Sequence, residues 1–259
     1  MKKIGLVLGG GGARGLAHVG FLKQLEKAQI PISAISGCSM GSIIGTFYAA
    51  GKSATDIEKF ILDTRTYDLM DISPTIKGFS KAEKIQKKIE EFIGITKFSE
   101  LKIPLTINAT DFSTGTEKVF SEGSLIKAIR ASISFPVLFQ PVKIGSKFYS
   151  DGGIINNLPF AHLPKSINKI ILVDVSPPEK INNEKTNMVQ LLETSVRLMQ
   201  NQINKLNLEK IKKEKYILIK PNVGKYHVIE PKTKFKEIIL KGENSFKRNK
   251  KEILRMITK

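Results

Sequence analysis

The sequence predicts an α/β fold in which a mainly parallel sheet is covered by helices. Two observations predict it. Strand, helix, strand and helix follow one another within the first fifty residues, a rhythm that builds parallel sheets. Later, Lys169 to Val175, reading KIILVDV, is a second uninterrupted apolar run of the kind found in a strand buried on both faces.

Taken in order, Lys3 to Leu8 is a short apolar strand ending in glycine. Leu16, Val19, Leu22, Leu25 and Ala28 then recur at helical spacing. Pro31 to Ser36 is a second apolar run, Gly37 to Gly41 a tight turn, and Met40 to Ala50 a small-residue helix closed by Gly51. Ser53 opens a helix reaching about Arg65. Residues 66–79, with Pro74 and Gly78, read as a loop or lid. Ser80 with Glu83 forms a capping box for a helix ending before Gly94. Leu105 to Thr110 and Thr116 to Phe120 are strands, Leu125 to Ala131 a short helix, and Pro136 and Pro141 bracket a non-helical turn. Phe148-Tyr149 leads into Asp151. Beyond KIILVDV come a long amphipathic helix from Met188 to about Lys212, a strand at Tyr216 to Ile219, and a basic helix from Phe235 to Ile257. With no repeat and no dividing linker, a single domain over residues 1–259 is expected.

A content of 41% hydrophobic and 25% charged residues is that of an ordinary globular chain. No stretch approaches the ~20 apolar residues of a spanning helix. Met1-Lys2-Lys3 with five apolar-run residues behind it is too short for a secretory signal, and one cysteine, Cys38, fits a reducing compartment. The cytoplasm is the expected location. The net charge is +18, and residues 201–259 alone hold 17 Lys+Arg against 6 Asp+Glu. Such a field draws polyanions, an anionic membrane surface among them, although a solvated lysine face would read the same.

Three constellations carry chemistry. Gly37-Cys38-Ser39-Met40-Gly41 is a G-x-S-x-G pentapeptide between a short strand and an apolar helix. A serine on such an elbow projects its oxygen from the sheet, and the helix N-terminus behind it favours negative charge. Gly9 to Gly15, GGGGARG, contains a literal G-x-G-x-x-G. A dinucleotide site would need an acid near the end of the second strand, where Ile30 to Ser36 offers none, and a P-loop would need Gly-Lys-Ser/Thr. Bare glycine amides suit an oxyanion hole instead. Arg14 either steers a lipid phosphate or orders this loop. Third, Asp151-Gly152-Gly153 puts a carboxylate in a tight turn.

The histidines limit the chemistry. His18 reads as a helix-surface residue, four places after Arg14. His162 lies near Pro159, and His227 between Pro221 and Pro231. A triad of Ser39, Asp174 and His227 is formally available, but only two strands precede the elbow, fewer than an α/β-hydrolase builds. A serine–carboxylate dyad is chemically workable, because burial makes a carboxyl basic enough to take the serine proton.

Together these motifs resemble the patatin-like phospholipase family, particularly its small single-domain bacterial members. GGGGARG is similar to the family's oxyanion loop, GCSMG to its nucleophile elbow and DGG to its aspartate turn. ATDFSTG at 109–115 and ASISFPVLFQP at 131–141 are similar to its connecting segments, and SDGGIINNLPF at 150–160 with KIILVDVS at 169–176 completes the pattern. The matches cover residues 4–176, and the basic helical part at 186–259 matches no motif. The resemblance implies a three-layer α/β/α sandwich and a catalytic pair of Ser39 and Asp151. It also implies oxyanion donors from Gly10, Gly11 and Gly12, with Arg14, Gly15, Gly37, Gly41, Gly152 and Gly153 in support. Lipid acyl esters are the implied substrates, with no metal or organic cofactor.

Two other readings stay open: a catalytically silent module that binds lipid or a partner, and a nucleic-acid binder. The second rests on charge alone, since there is no tryptophan and aromatic residues make up 7% of the chain. Phe135, Leu138 and Phe139 line an acyl channel or, more simply, pack the core. The oligomeric state is not legible.

Overall fold

A computed structural model describes residues 2–64, 83–136, 138–177 and 188–258. The loop or lid at 66–79 and the Ser80 capping box lie outside the described residues. Among those described, eight strands form one mixed sheet. Its parallel part runs β8 (Tyr216–Ile219), β7 (Lys169–Val173), β1 (Ile4–Leu8), β2 (Ala34–Gly37), β3 (Leu105–Asp111). Three antiparallel strands complete it: β4 (Thr116–Phe120), β5 (Val142–Ile144) and β6 (Lys147–Asp151).

The central strands are apolar throughout because both faces of the sheet are covered. Leu6, Leu8, Ile171 and Val173 point into the larger core. It is shared with α1 (Ala17–Lys27), α2 (Met40–Ala49), α3 (Ala54–Asp63) and α4 (Glu83–Ile93). Val7, Ile170 and Leu172 alternate to the other face, under Leu158, Leu163 and the end of α6 (Met188–Leu208). Helices on both sides of a mainly parallel sheet are the expected three-layer α/β architecture. The remaining helices are α5 (Leu125–Ser132) and the terminal α7 (Phe235–Thr258). Helices α1 and α7 cross closely through glycine: a Cβ on Gly20 would stand 1.9 Å from the Ile239 carbonyl oxygen, and one on Gly242 1.8 Å from that of Ala17. Phe21 and Phe246 close the contact edge to face, with centroids 5.3 Å apart. The basic C-terminal helix is therefore rooted in the main core.

The elements depart from the sequence reading in few places. Pro31 has no N–H to give a ladder, and β2 begins only at Ala34. Strand β5 was not foreseen, since three residues between Pro141 and Gly145 are too few to show alternation. A 3-10 turn, Gly12–Leu16, precedes α1. Ser53 does cap α3, in a reciprocal box with Asp56.

One feature of the pairing positions the site. Strand β4 occupies one edge of β3 along Ile107 to Asp111. On the opposite edge β2 pairs up to Gly37–Ile107, and β6 pairs from Asp151–Ala109 onward. Strands β2 and β6 thus share an edge end to end, and the residues at their meeting ends are neighbours.

Candidate active site

Ser39 follows the last residues of β2 and caps α2 with φ 50° and ψ −124°, a left-handed conformation that a serine adopts only under tertiary constraint. The constraint is packing of the elbow under the first strand. A Cβ at Gly41 would lie 2.0 Å from the Leu8 carbonyl oxygen, and one at Gly37 2.7 Å from that of Gly41. The Ser39 N–H donates to Ser132 Oγ at 2.8 Å. Its Oγ donates to Asp151 Oδ2 at 2.6 Å.

Asp151 is 2% exposed. Its Oδ1 accepts from the Gly153 N–H at 2.8 Å, and Thr110 Oγ1 donates to its carbonyl at 2.8 Å. Burial pushes the carboxyl up to about 6, with the bonds from Ser39 and Gly153 opposing. The same enclosure raises the neighbouring Cys38 thiol well above its ordinary range, through burial first and the Asp151 charge second. Gly152 is closely flanked by Asn108, and Gly153 by Gln200 and Asn157.

The glycine loop faces this pair. Gly10 lies against Ser39, where an added Cβ would be 3.0 Å from the serine Cβ. Its own N–H is turned to the Asn157 carbonyl at 3.4 Å, while its carbonyl accepts from Ser176 Oγ at 2.8 Å and Asn157 Nδ2 at 3.2 Å. Among the described residues, none accepts a hydrogen bond from the amides of Gly11 or Gly12. Arg14 is buried and orders the loop: Nε donates to the Gly11 carbonyl at 3.2 Å, and Nη1 pairs with Glu193 Oε1 at 2.9 Å. Its guanidinium is committed there and does not reach out toward a phosphate. Gly15 makes room for Met40.

His18 corrects the sequence reading. It is fully buried, not on a helix surface, because α1 is enclosed between the glycine loop and α7. Burial lowers its pKa to about 4, so the neutral ring donates from Nε2 to the Gly9 carbonyl at 2.8 Å. The alternative triad is not assembled. The Asp174 carboxylate accepts from the Ser176 N–H at 3.0 Å, and His227 Nδ1 lies 3.5 Å from Glu193 Oε2. His162 pairs with Glu117 at 3.0 Å.

An apolar cavity opens from Ser39, Gly11 and Asp151 between α2, α3 and α4, with Phe47, Ile61 and Ile89 along it. Phe135, Leu138 and Phe139 line it too, and Phe139 belongs at the same time to the core. Several residues went unremarked in the sequence: Ser132, Asn157 and Ser176 brace the two loops, and Glu193 and Gln200 reach them from α6. Gln200 Nε2 donates to the Gly153 carbonyl at 3.0 Å. Ser132, Asn157 and Ser176 fall within motif segments, which was their only signal.

A mainly parallel sheet whose second strand ends in a strained G-x-S-x-G serine, facing a glycine turn, places the protein among the α/β proteins with a serine elbow. Within that class the chain belongs to the patatin-like phospholipase family, whose model matches residues 6–164. It is 35% identical over 176 residues to an uncharacterized NTE family protein of Mycobacterium bovis, covering 67% of this chain and 49% of that one. To the lysophospholipase NTE1 of Candida glabrata it is 32% identical over 181 residues, covering 67% of this chain and 10% of that protein. The chain therefore spans about half the length of the mycobacterial relative and about a tenth of the fungal one. The crystal structure of VipD from Legionella pneumophila shares the fold, with TM-score 0.56 and 14% identity over 95% of this chain and 66% of that one. Among the described residues, no helix is long and apolar enough to cross a membrane.

Proposed function

We propose that this chain is a serine acyl-hydrolase that cleaves carboxylic esters of lipids with Ser39 as nucleophile and Asp151 as its base. The observation that carries the reading is the 2.6 Å hydrogen bond from Ser39 Oγ to a buried Asp151 at the head of an apolar cavity. The family membership and the lysophospholipase among the relatives point to the same substrate class.

The chemistry runs as a double displacement. Ser39 Oγ attacks the ester carbonyl as its proton passes to Asp151 Oδ2, and the carbonyl π electrons move to oxygen. The amides of Gly11 and Gly12, with the N-terminus of α2, stabilise that oxyanion; Gly10, expected as a third donor, holds the loop instead. Collapse of the intermediate breaks the bond to the alcohol, and protonated Asp151 returns the proton to it. Water, deprotonated by Asp151, then attacks the acyl-serine; collapse breaks the bond to Ser39 Oγ, which takes the proton back from Asp151 as the fatty acid leaves. The carboxyl, raised to about 6, is more basic than an exposed aspartate yet ionised at neutral pH, as the base role requires.

Hydrolysis of a short-chain p-nitrophenyl ester tests this with Ser39→Ala, Asp151→Asn and His227→Ala, each checked for folding. Loss in the first two with His227→Ala at wild-type rate is the expected result. Loss in His227→Ala would restore the triad. Wild-type activity no higher than Ser39→Ala, on ester and on lipid vesicles alike, would leave a silent binding module.

A further inference from the structure

Helix α6 is inside out. Its inward face carries Glu193, Thr194, Arg197, Gln200 and Asn204, all more than nine-tenths buried. That polar row holds the site through the Glu193–Arg14 ion pair and the Gln200 bond to Gly153. The outward face is uncharged and carries the exposed leucines. Leu191, Ser195, Leu198, Gln202 and Leu206 follow at three- and four-residue spacing along it, with Leu192 and Met199 beside them. Leu191, Leu198 and Met199 are 55%, 50% and 57% exposed. From residue 190 to 204 the only ionisable side chains are Glu193 and Arg197, and both point inward. In a chain that is 25% charged, an outward stripe without a charge for about four turns is an unsolved burial problem.

The stripe ends in cations. Lys205, Lys210, Lys212, Lys213 and Lys215 are all exposed, against Glu209 and Glu214. Exposed leucines followed along the chain by exposed lysines match a bilayer boundary with anionic headgroups, where apolar area and charge attraction add. A polyanion without an apolar layer would use the lysines and leave the leucines wet. A second copy would bring another net charge of +18.

We propose that the outward face of α6 is the surface on which this protein docks to an anionic lipid bilayer. Leu191, Leu198 and Met199 enter the acyl boundary, and the lysines from 205 to 215 hold the headgroups. Docking there puts the bilayer against the helix whose inner side, through Val196 and Gln200, lines the cavity that ends at Ser39. The benefit to catalysis rests on the hydrolase reading; the docking does not.

Co-sedimentation with vesicles of phosphatidylcholine, with and without phosphatidylglycerol, tests the proposal on the full chain. The double variant Leu198→Glu/Met199→Glu should lower the bound fraction on phosphatidylglycerol vesicles by at least about tenfold. Its melting temperature and soluble-ester hydrolysis should stay at wild type, since neither residue lines the cavity. Leu198→Gln/Met199→Gln repeats the test if the glutamates impair folding. Lys212→Glu/Lys213→Glu should lose only the increment due to phosphatidylglycerol, and Leu240→Glu, an exposed leucine on α7, should bind normally. Wild-type binding by the stripe variants overturns the proposal. So does a dimer in vesicle-free solution that the stripe variants dissociate, because the occupant is then a second copy. Ser39→Ala separates the two readings: it should bind vesicles normally, and a wild type that binds without hydrolysing any ester sinks the hydrolase and leaves the docking face standing.

Discussion

The ends of β6 and β7 hold two aspartates that look alike. Asp151 closes β6, Asp174 follows β7, and both are buried. Each accepts a hydrogen bond from the amide two residues on, Gly153 at 2.8 Å and Ser176 at 3.0 Å. Burial raises both carboxyls above the ordinary aspartate range. They differ in what the second oxygen meets. For Asp151 it is the Ser39 hydroxyl, whereas Asp174 is drawn back down by the charges of Lys220 and Arg14. A buried, basic carboxylate is thus not in itself a reaction centre; a strand must carry it to a nucleophile.

The contrast can be broken most directly by removing the reacting atoms. Ser39→Ala and Asp151→Asn should each lower kcat/KM for a soluble ester by about a thousandfold or more, with circular dichroism unchanged. Comparable losses from Asp174→Asn would erase the distinction.

The pH profile sharpens it. Asp151 must be ionised to act, so activity should fall as pH drops through about 6, by about tenfold per pH unit below it. Stability runs the opposite way for this group. Its folded pKa lies above the ordinary 3.8, so folding favours the protonated form, and stability declines as pH rises from about 4 to about 6. Asp151→Asn should therefore be an inactive protein that melts higher at pH 7, by up to about 3 kcal/mol in unfolding free energy. A destabilised Asp151→Asn in thermal or urea unfolding would show that its hydrogen bonds outweigh its burial.

Glu193→Gln tests whether α6 matters to the loop. It removes the charge that the buried Arg14 Nη1 meets at 2.9 Å, a change on the order of 3 kcal/mol in urea unfolding. Because Arg14 holds the Gly11 carbonyl, activity should drop by about tenfold, mostly in kcat. The smallest effect belongs to Asp174→Asn, within about fivefold of wild-type activity, since its carboxylate meets the Ser176 amide and not the serine.

The same two aspartates show what was legible in the sequence. Ser39 and Asp151 stood out because one sits in the pentapeptide Gly37 to Gly41 and the other opens Asp151-Gly152-Gly153, turns whose glycines announce close approach, and the buried strands around them were continuous apolar runs. The family and the layered fold followed from those. His18 was misread because a polar residue in an amphipathic segment is taken for surface until a second helix, here α7, is known to cover it. Asn157, Ser132 and Ser176 act through hydrogen bonds to loops far away in sequence, which no local pattern encodes. The polar row of α6 was equally silent: helical periodicity says that two faces differ, and only the packing says which one is inside.

The shared edge of β3 has a last consequence, for which parts of the chain can vary in length. The distance from nucleophile to base is measured out along Ile107 to Ala109, as on a ruler, and not along the hairpins between β3 and β6. Residues can be added at Gly115 or Gly145, where nothing stands within 4 Å of an added Cβ, and the two reacting groups keep their spacing. A single residue inserted between Tyr149 and Asp151 would instead turn the aspartate to the opposite side of the sheet.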